Sequence, residues 1–160
     1  MKLGLLTIHN TQNYGSLLQT YSTYKALHEL GLDIDLIDYR NDAITRREKP
    51  NDLVESISVK QIVKYILWGN AQKRKYNSIM RFLKENTSMS PEYDKDSIVN
   101  ANKVYEGFIV GSDIVWGTNI TGRDMTYFLD FASDDKRRYS FSSSIGTKWT
   151  MEENDMIKPL

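Results

Sequence analysis

The chain contains no cysteine in its 160 residues, which excludes disulfides, thiolate metal sites and cysteine nucleophiles together. Histidine is almost as scarce: His9 and His28 are the 2 imidazoles present, too few for a histidine-rich metal site. An excess of either charge is missing too. The 21 basic and 21 acidic residues balance, so no global field draws the protein to nucleic acid or an anionic membrane. No apolar run approaches the ~18 residues of a membrane span. The opening MKLGLLTIHN reaches a histidine too early for a secretory leader, and a cytoplasmic protein is expected. Also missing are a GxGxxG after the first strand and a Gly-Lys-Ser/Thr phosphate loop, so Asp38 alone is a weak sign of a ribose-binding acid. What the composition does supply is 40% hydrophobic residues, enough for one domain spanning 1–160.

Those apolar residues fall into an alternating pattern. KLGLLTI (2–8) is a compact run of the kind buried on both faces of a parallel sheet, and Gly4 within it predicts a close neighbour. The following segment spaces Leu17, Leu18, Tyr21, Tyr24, Leu27 and Leu30 helically, with Ser16 and Gln19 as a capping-box pair and Gly31 as the stop. DIDLIDY (33–39) reads as a second strand, which completes a parallel, right-handed βαβ unit. Residues 41–57 are polar and contain Pro50, so a loop or excursion is expected there; helices follow over 59–68 and 71–86. After the polar stretch MSPEYDKDSIVNAN, the segments VYEGFIVGSD, YFLDFA and RRYSFSSSIG each read as strands. Thr150 and Glu153 form a second capping-box pair that opens a last helix at Met151. The expected fold is α/β with a mainly parallel sheet and flanking helices, and the unfinished last unit reads as part of a larger protein.

Three segments carry candidate chemistry. HNTQNYGSLLQ (9–19) places Asn10, Asn13 and Gly15 where a strand meets a helix N-terminus, a neutral, amide-rich loop. It either makes the turn or reads ligand hydroxyls through backbone and amide groups. FIVGSDIVWG (108–117) presents Gly111, Ser112 and Asp113 at another strand end. Asp113 there is either a general base or the cap of a helix at Ile114, and Trp116 either stacks on a sugar ring or fills core. In RRYSFSSSIG, Ser143 lacks the glycine two positions earlier that a nucleophile elbow needs, which leaves turn formation or hydroxyl contacts to a ligand.

Read together, LTIHNTQNYGSLLQTYSTYKALHELG…IDLIDYR, GFIVGSDIVWG and YFLDFASDDKRRYSFSSSIG resemble the polysaccharide pyruvyl transferase family. Its members open with a strand and (H/N)-N-x-x-N-(Y/W)-G-(A/S)-x-L-Q, continue with F-x-x-G-S-D-x-x-W, and carry a Ser/Ala-rich strand ending in Gly. Ile114 and Gly117 depart from the family's common Gln and Asn. The resemblance implies a Rossmann-like domain forming the N-terminal half of a glycosyltransferase-B-like two-domain fold, with the second domain absent from this chain. It implies transfer of a pyruvyl group from phosphoenolpyruvate to a sugar hydroxyl pair in cell-surface polysaccharide synthesis, without metal or cofactor. Asp113 would handle the proton, with Asn10, Asn13, Tyr14, Gly15, Gly111, Ser112, Trp116 and Ser143 contacting substrate. The chain alone would be inactive and would self-associate through an exposed cleft face. The competing expectations are half of a nucleotide-sugar-dependent glycosyltransferase and a non-catalytic sugar-binding domain.

Overall fold

Alternation along the first strand, β1 (Lys2–Leu6), sends Leu3 and Leu5 to one side of a sheet and Leu6 to the other. The computed structural model describes residues 1–48 and 69–157, so the helix expected over 59–68 lies outside the described residues. Within them, β2 (Asp33–Tyr39), β3 (Met89–Tyr93), β4 (Gly107–Asp113) and β5 (Arg137–Ser143) join β1 in the order β3-β2-β1-β4-β5, every neighbouring pair parallel. This is a Rossmann-like α/β fold. Gly4 has the close neighbour expected of it: a Cβ there would lie 2.5 Å from Ile37 Cδ1.

Two helices cover one face, α1 (Tyr14–Glu29) and α3 (Asn70–Asn86). Leu17, Tyr24, Leu27, Ile79 and Leu83 from these helices pack on Leu3, Leu5, Ile34, Leu36 and Ile109. The opposite face packs Ile37, Tyr39, Phe108 and Val110 against Tyr105, Tyr127 and Leu129. Each fully buried aliphatic side chain contributes about 1.5–3 kcal/mol to holding these layers together. α1 does not bury all the residues that its spacing puts forward. Leu18 is 59% and Leu30 73% exposed, while Thr20 and Thr23 are buried.

Several local expectations change. The polar stretch after β2 holds a helix, α2 (Asp42–Glu48), started by the Asn41 side chain, which accepts from the Ile44 amide at 2.8 Å. MSPEY, within the stretch read only as polar, forms the edge strand β3, where Pro91 is tolerated because an edge has one ladder unpaired. YFLDFA is not a strand. Met125–Phe128 form a 3-10 turn capped by the Asp124 side chain on the Thr126 amide, and Leu129 takes φ +61°. Tyr127, Leu129 and Ala132 of this segment are buried all the same, and a short apolar run does not distinguish a strand from a buried turn.

Caps follow local competition. Asn13, not Ser16, caps α1, accepting from the Gly15 amide at 2.7 Å. The helix therefore begins ahead of the Ser16–Gln19 pair, which is free for other contacts: Ser16 donates to the Ile8 carbonyl and Gln19 reaches β4. At the far end of the chain the expected capping box does form. Thr150 N–H donates to Glu153 Oε2 at 2.7 Å and Glu153 N–H to Thr150 Oγ1 at 3.2 Å, opening α4 (Met151–Ile157). Gly31 ends α1 at φ +82°, its amide donating to the His28 carbonyl at 2.9 Å.

Candidate functional site

From β1 the chain builds β2 and β3 on one side, then returns to build β4 and β5 on the other. The switch point lies between the carboxyl ends of β1 and β4, where open parallel sheets leave a crevice for ligands. Leu3 to Leu6 pair with Gly107 to Val110 and bring the two loops after these strands side by side. A cavity of about 190 Å³ opens there. The β1–α1 loop, the first turns of α1, the end of α2 and Ser112, Asp113 and Ile114 line it.

The β1–α1 loop is held from below by a polar network at the end of β2. The buried His9 ring bonds Asp38 Oδ1 through Nε2 at 3.0 Å, and Nδ1 lies 3.3 Å from the Thr7 carbonyl. Arg40 NH2 donates to Asp38 at 2.9 Å, and its Nε lies 3.1 Å from Glu92 Oε2. Burial opposes ionisation of Asp38, but the His9 hydrogen bond and the His9 and Arg40 charges outweigh it, and the carboxyl sits below its ordinary value. Burial raises the Tyr76 phenol. Gln12 completes the bracing: its amide N–H donates to Glu48 Oε2 at 2.8 Å and its side chain to the Glu48 carbonyl at 2.6 Å.

Asn10 belongs to this bracing rather than to the cavity wall. Its Oδ1 accepts from Arg40 at 2.6 Å and from the Tyr76 hydroxyl, and its Nδ2 donates to Thr45 at 3.2 Å. Asn13 does line the cavity, with its side chain committed to the α1 cap. Gly15 lies in the first turn of α1 as an ordinary helical residue, and the 57%-exposed Tyr14 places its ring 4.5 Å from the Lys75 ammonium.

The β4 end carries the sharpest geometry. Gly111 takes φ +147° and Asp113 φ +73°, and no helix starts at Ile114, so Asp113 is not a cap. The Asp113 carbonyl accepts from the Ser144 amide at 2.8 Å and Ser143 Oγ donates to the Val110 carbonyl at 3.0 Å, tying the ends of β4 and β5 together. Ser143 thus acts on the neighbouring strand and is not on the cavity wall. Trp116 also stands apart. It stacks on Phe128 with centroids 5.9 Å apart, and its indole N–H donates to the Tyr127 carbonyl at 3.0 Å.

α1 supplies residues that patterning on apolar positions misses. With its amide oriented to satisfy both ends, Gln19 donates to Asp113 Oδ2 at 3.0 Å. It accepts from the Asp113 amide at 2.9 Å and from Ser112 Oγ at 3.0 Å. Thr23, 2.7 Å away, then donates to Ser112 Oγ. The Thr20 hydroxyl, on the same wall, is buried without a partner among the described residues. Ser16, Gln19, Thr20 and Thr23 recur at helical spacing, so a polar stripe on an otherwise buried helix face was the available signal. Asp113 Oδ1 accepts no hydrogen bond from the described residues.

The arrangement offers hydroxyls from Thr7, Thr11, Ser16 and Thr20 and one carboxylate oxygen to which no described residue donates. Arg47 donates to the Ile120 carbonyl at 3.2 Å, so its charge is partly committed to the wall, and Glu48 and Asp113 oppose it. Such a lining suits a neutral, hydroxyl-rich ligand better than a phosphate. Among the described residues no helix is long and apolar enough to cross a membrane.

No curated protein and no solved structure matches the chain. A family model described as polysaccharide pyruvyl transferase matches residues 13–160, a stretch that takes in α1, the Gln19–Asp113 contact and β5. The chain belongs to the polysaccharide pyruvyl transferase family.

Proposed function

We propose that this chain is the acceptor-side half of a cytoplasmic pyruvyl transferase that moves a pyruvyl group from phosphoenolpyruvate onto two hydroxyls of a sugar in cell-surface polysaccharide synthesis. The single observation that carries the reading is Asp113. Its carboxylate stands at the switch point on the wall of a hydroxyl-lined cavity, tied through Oδ2, while no described residue donates to Oδ1. Ketal formation joins two sugar oxygens to one carbon of the enolpyruvyl group and releases phosphate. One hydroxyl proton ends on the new methyl group and the other on phosphate. Asp113 takes a hydroxyl proton as that oxygen attacks, and Ser112, Asn13 and the α1 hydroxyls orient the ring. The cavity volume of about 190 Å³ falls below the ~300 Å³ at which pockets for drug-sized ligands begin, which favours a single sugar ring over a nucleotide sugar.

The donor phosphate and carboxylate call for cations that the described lining of this cavity does not concentrate, so the donor grip is assigned to a second domain. The chain alone then meets its acceptor on a half-open surface. Each sugar hydrogen bond gives ~0.5–1.5 kcal/mol net, which leaves millimolar or weaker binding and no turnover. Tyr14 and Leu18, 57% and 59% exposed, add apolar surface at the start of α1 through which the isolated chain self-associates.

The test is Asp113→Asn in the intact protein, assayed for phosphate release from phosphoenolpyruvate and for ketal formed on the sugar. Loss of the base lowers the rate by ~10² to 10⁴ with folding intact. Near-normal turnover by a folded variant would sink the role given to Asp113.

A further inference from the structure

Asp113 is held in place by one side chain from another element. Gln19 donates to its Oδ2 at 3.0 Å, accepts from its backbone amide at 2.9 Å, and accepts from the neighbouring Ser112 Oγ at 3.0 Å. Carboxylate and backbone of the same residue are therefore gripped by the two ends of one amide. Asp113 needs such a grip: it sits at φ +73°, a conformation L residues adopt only at a cost, and its side chain is exposed to solvent that would otherwise let it rotate. Ser112 is gripped in turn from the next turn of the helix, by Thr23 at 2.7 Å. The half-buried Gln19 lines the cavity beside Asp113.

We infer that Gln19 is a positioning residue, fixing the direction of the Asp113 carboxylate so that Oδ1 faces the acceptor hydroxyl. The inference rests on the reading of Asp113 as the proton acceptor. Gln19 takes no proton and forms no bond to the reacting atoms. With Oδ2 and the amide N–H both tied to α1, rotation of the carboxylate is restricted and Oδ1 is the oxygen left to accept, no described residue donating to it. A general base gains most of its effect from such orientation, since a displacement of ~1 Å costs on the order of 10²-fold in rate.

Two substitutions separate the ends of the clamp. Gln19→Met keeps the length and removes both ends. Gln19→Glu keeps acceptors for the Asp113 amide and for Ser112 but sets carboxylate against carboxylate. In the 160-residue chain, amide hydrogen exchange at Asp113 is expected to speed up by about 10-fold or more in Gln19→Met and to stay near wild type in Gln19→Glu. In the intact protein, with phosphoenolpyruvate and a sugar acceptor, both variants should lose about 10²-fold in kcat with the phosphoenolpyruvate KM little changed. The decisive readout is the double variant. If Gln19 acts through Asp113, adding Gln19→Met to Asp113→Asn costs nothing further, whereas a merely structural role gives additive losses. Additive losses beside a crippled Asp113→Asn overturn the Gln19 role alone, as does unchanged Asp113 exchange in Gln19→Met. A fully active Asp113→Asn overturns the functional reading and this role with it.

Discussion

At Gly111 a Cβ would sit 1.9 Å from the Phe141 carbonyl oxygen, in a backbone at φ +147° that L side chains rarely adopt. The obstruction is main chain of the paired strand β5, so it does not swing aside as a side-chain tip would. Gly111→Ala is therefore expected to destabilise by about 3 kcal/mol or more, by forcing the ends of β4 and β5 apart. Urea denaturation measures it, and a loss under about 1 kcal/mol would mean that the strand end relaxes cheaply. Since Ser112 and Asp113 follow directly, the same variant should also disorder the candidate site.

The element that presents the site is α1, and its entry depends on Asn13. The side chain satisfies one of the N–H groups that the first turn leaves without helical partners, and the Asn13 carbonyl receives the Leu17 amide at 3.0 Å. Asn13→Ala should cost about 1 kcal/mol, read as a lower midpoint in thermal or urea unfolding, with the fold retained. An unchanged midpoint would show that the bracing of the loop by Asn10, Gln12 and Ser16 holds the helix start unaided. That bracing joins the β1–α1 loop to β2, α2 and α3, so the loop is the product of several elements rather than of its own turn residues.

For the molecule as a whole, two buried carboxyls set the acid limb of stability. Burial disfavours the charge of Asp35, but hydrogen bonds from Lys2, Ser88 and Tyr105 and the Lys2 charge outweigh it, and its carboxyl, like that of Asp38, lies below 3.8 when folded. A depressed folded value means that the unfolded chain takes up protons first as pH falls. The stabilisation is therefore complete above about pH 4–5 and is lost as pH drops through the folded values. Asp38→Asn should destabilise clearly at pH 7, and the penalty should shrink as pH falls through the folded value of the wild-type carboxyl. Urea curves across the acid limb check this, and a penalty that stays constant from pH 7 downward would remove Asp38 from the acid response.

Much of this architecture was legible in the sequence, because β1, α1, β2, β4 and β5 announce themselves through local pattern: apolar runs, helical spacing, Gly31 and the Thr150–Glu153 box. The place of Asn13, Ser112 and Asp113 at loops beyond strand ends was legible for the same reason, since strand ends and helix starts can be read along the chain, and all three line the cavity. YFLDFA was misread as a strand and the strand at MSPEY went unread, because a short apolar run and a Pro-bearing edge strand carry no local signal of their own. The roles within the site were decided by tertiary structure. Asn10 turned inward to Arg40 and Tyr76, Trp116 to Phe128, and Ser143 to Val110, each choice set by partners distant in sequence. Gln19 and Asp113 stand 94 positions apart, and the parallel pairing of β1 with β4 is what brings the helix after one strand against the end of the other. Sequence alone determines which residues can hydrogen-bond and where the chain turns; which of them meet is decided by packing the helix on the sheet, because burying its apolar face sets where its polar face points.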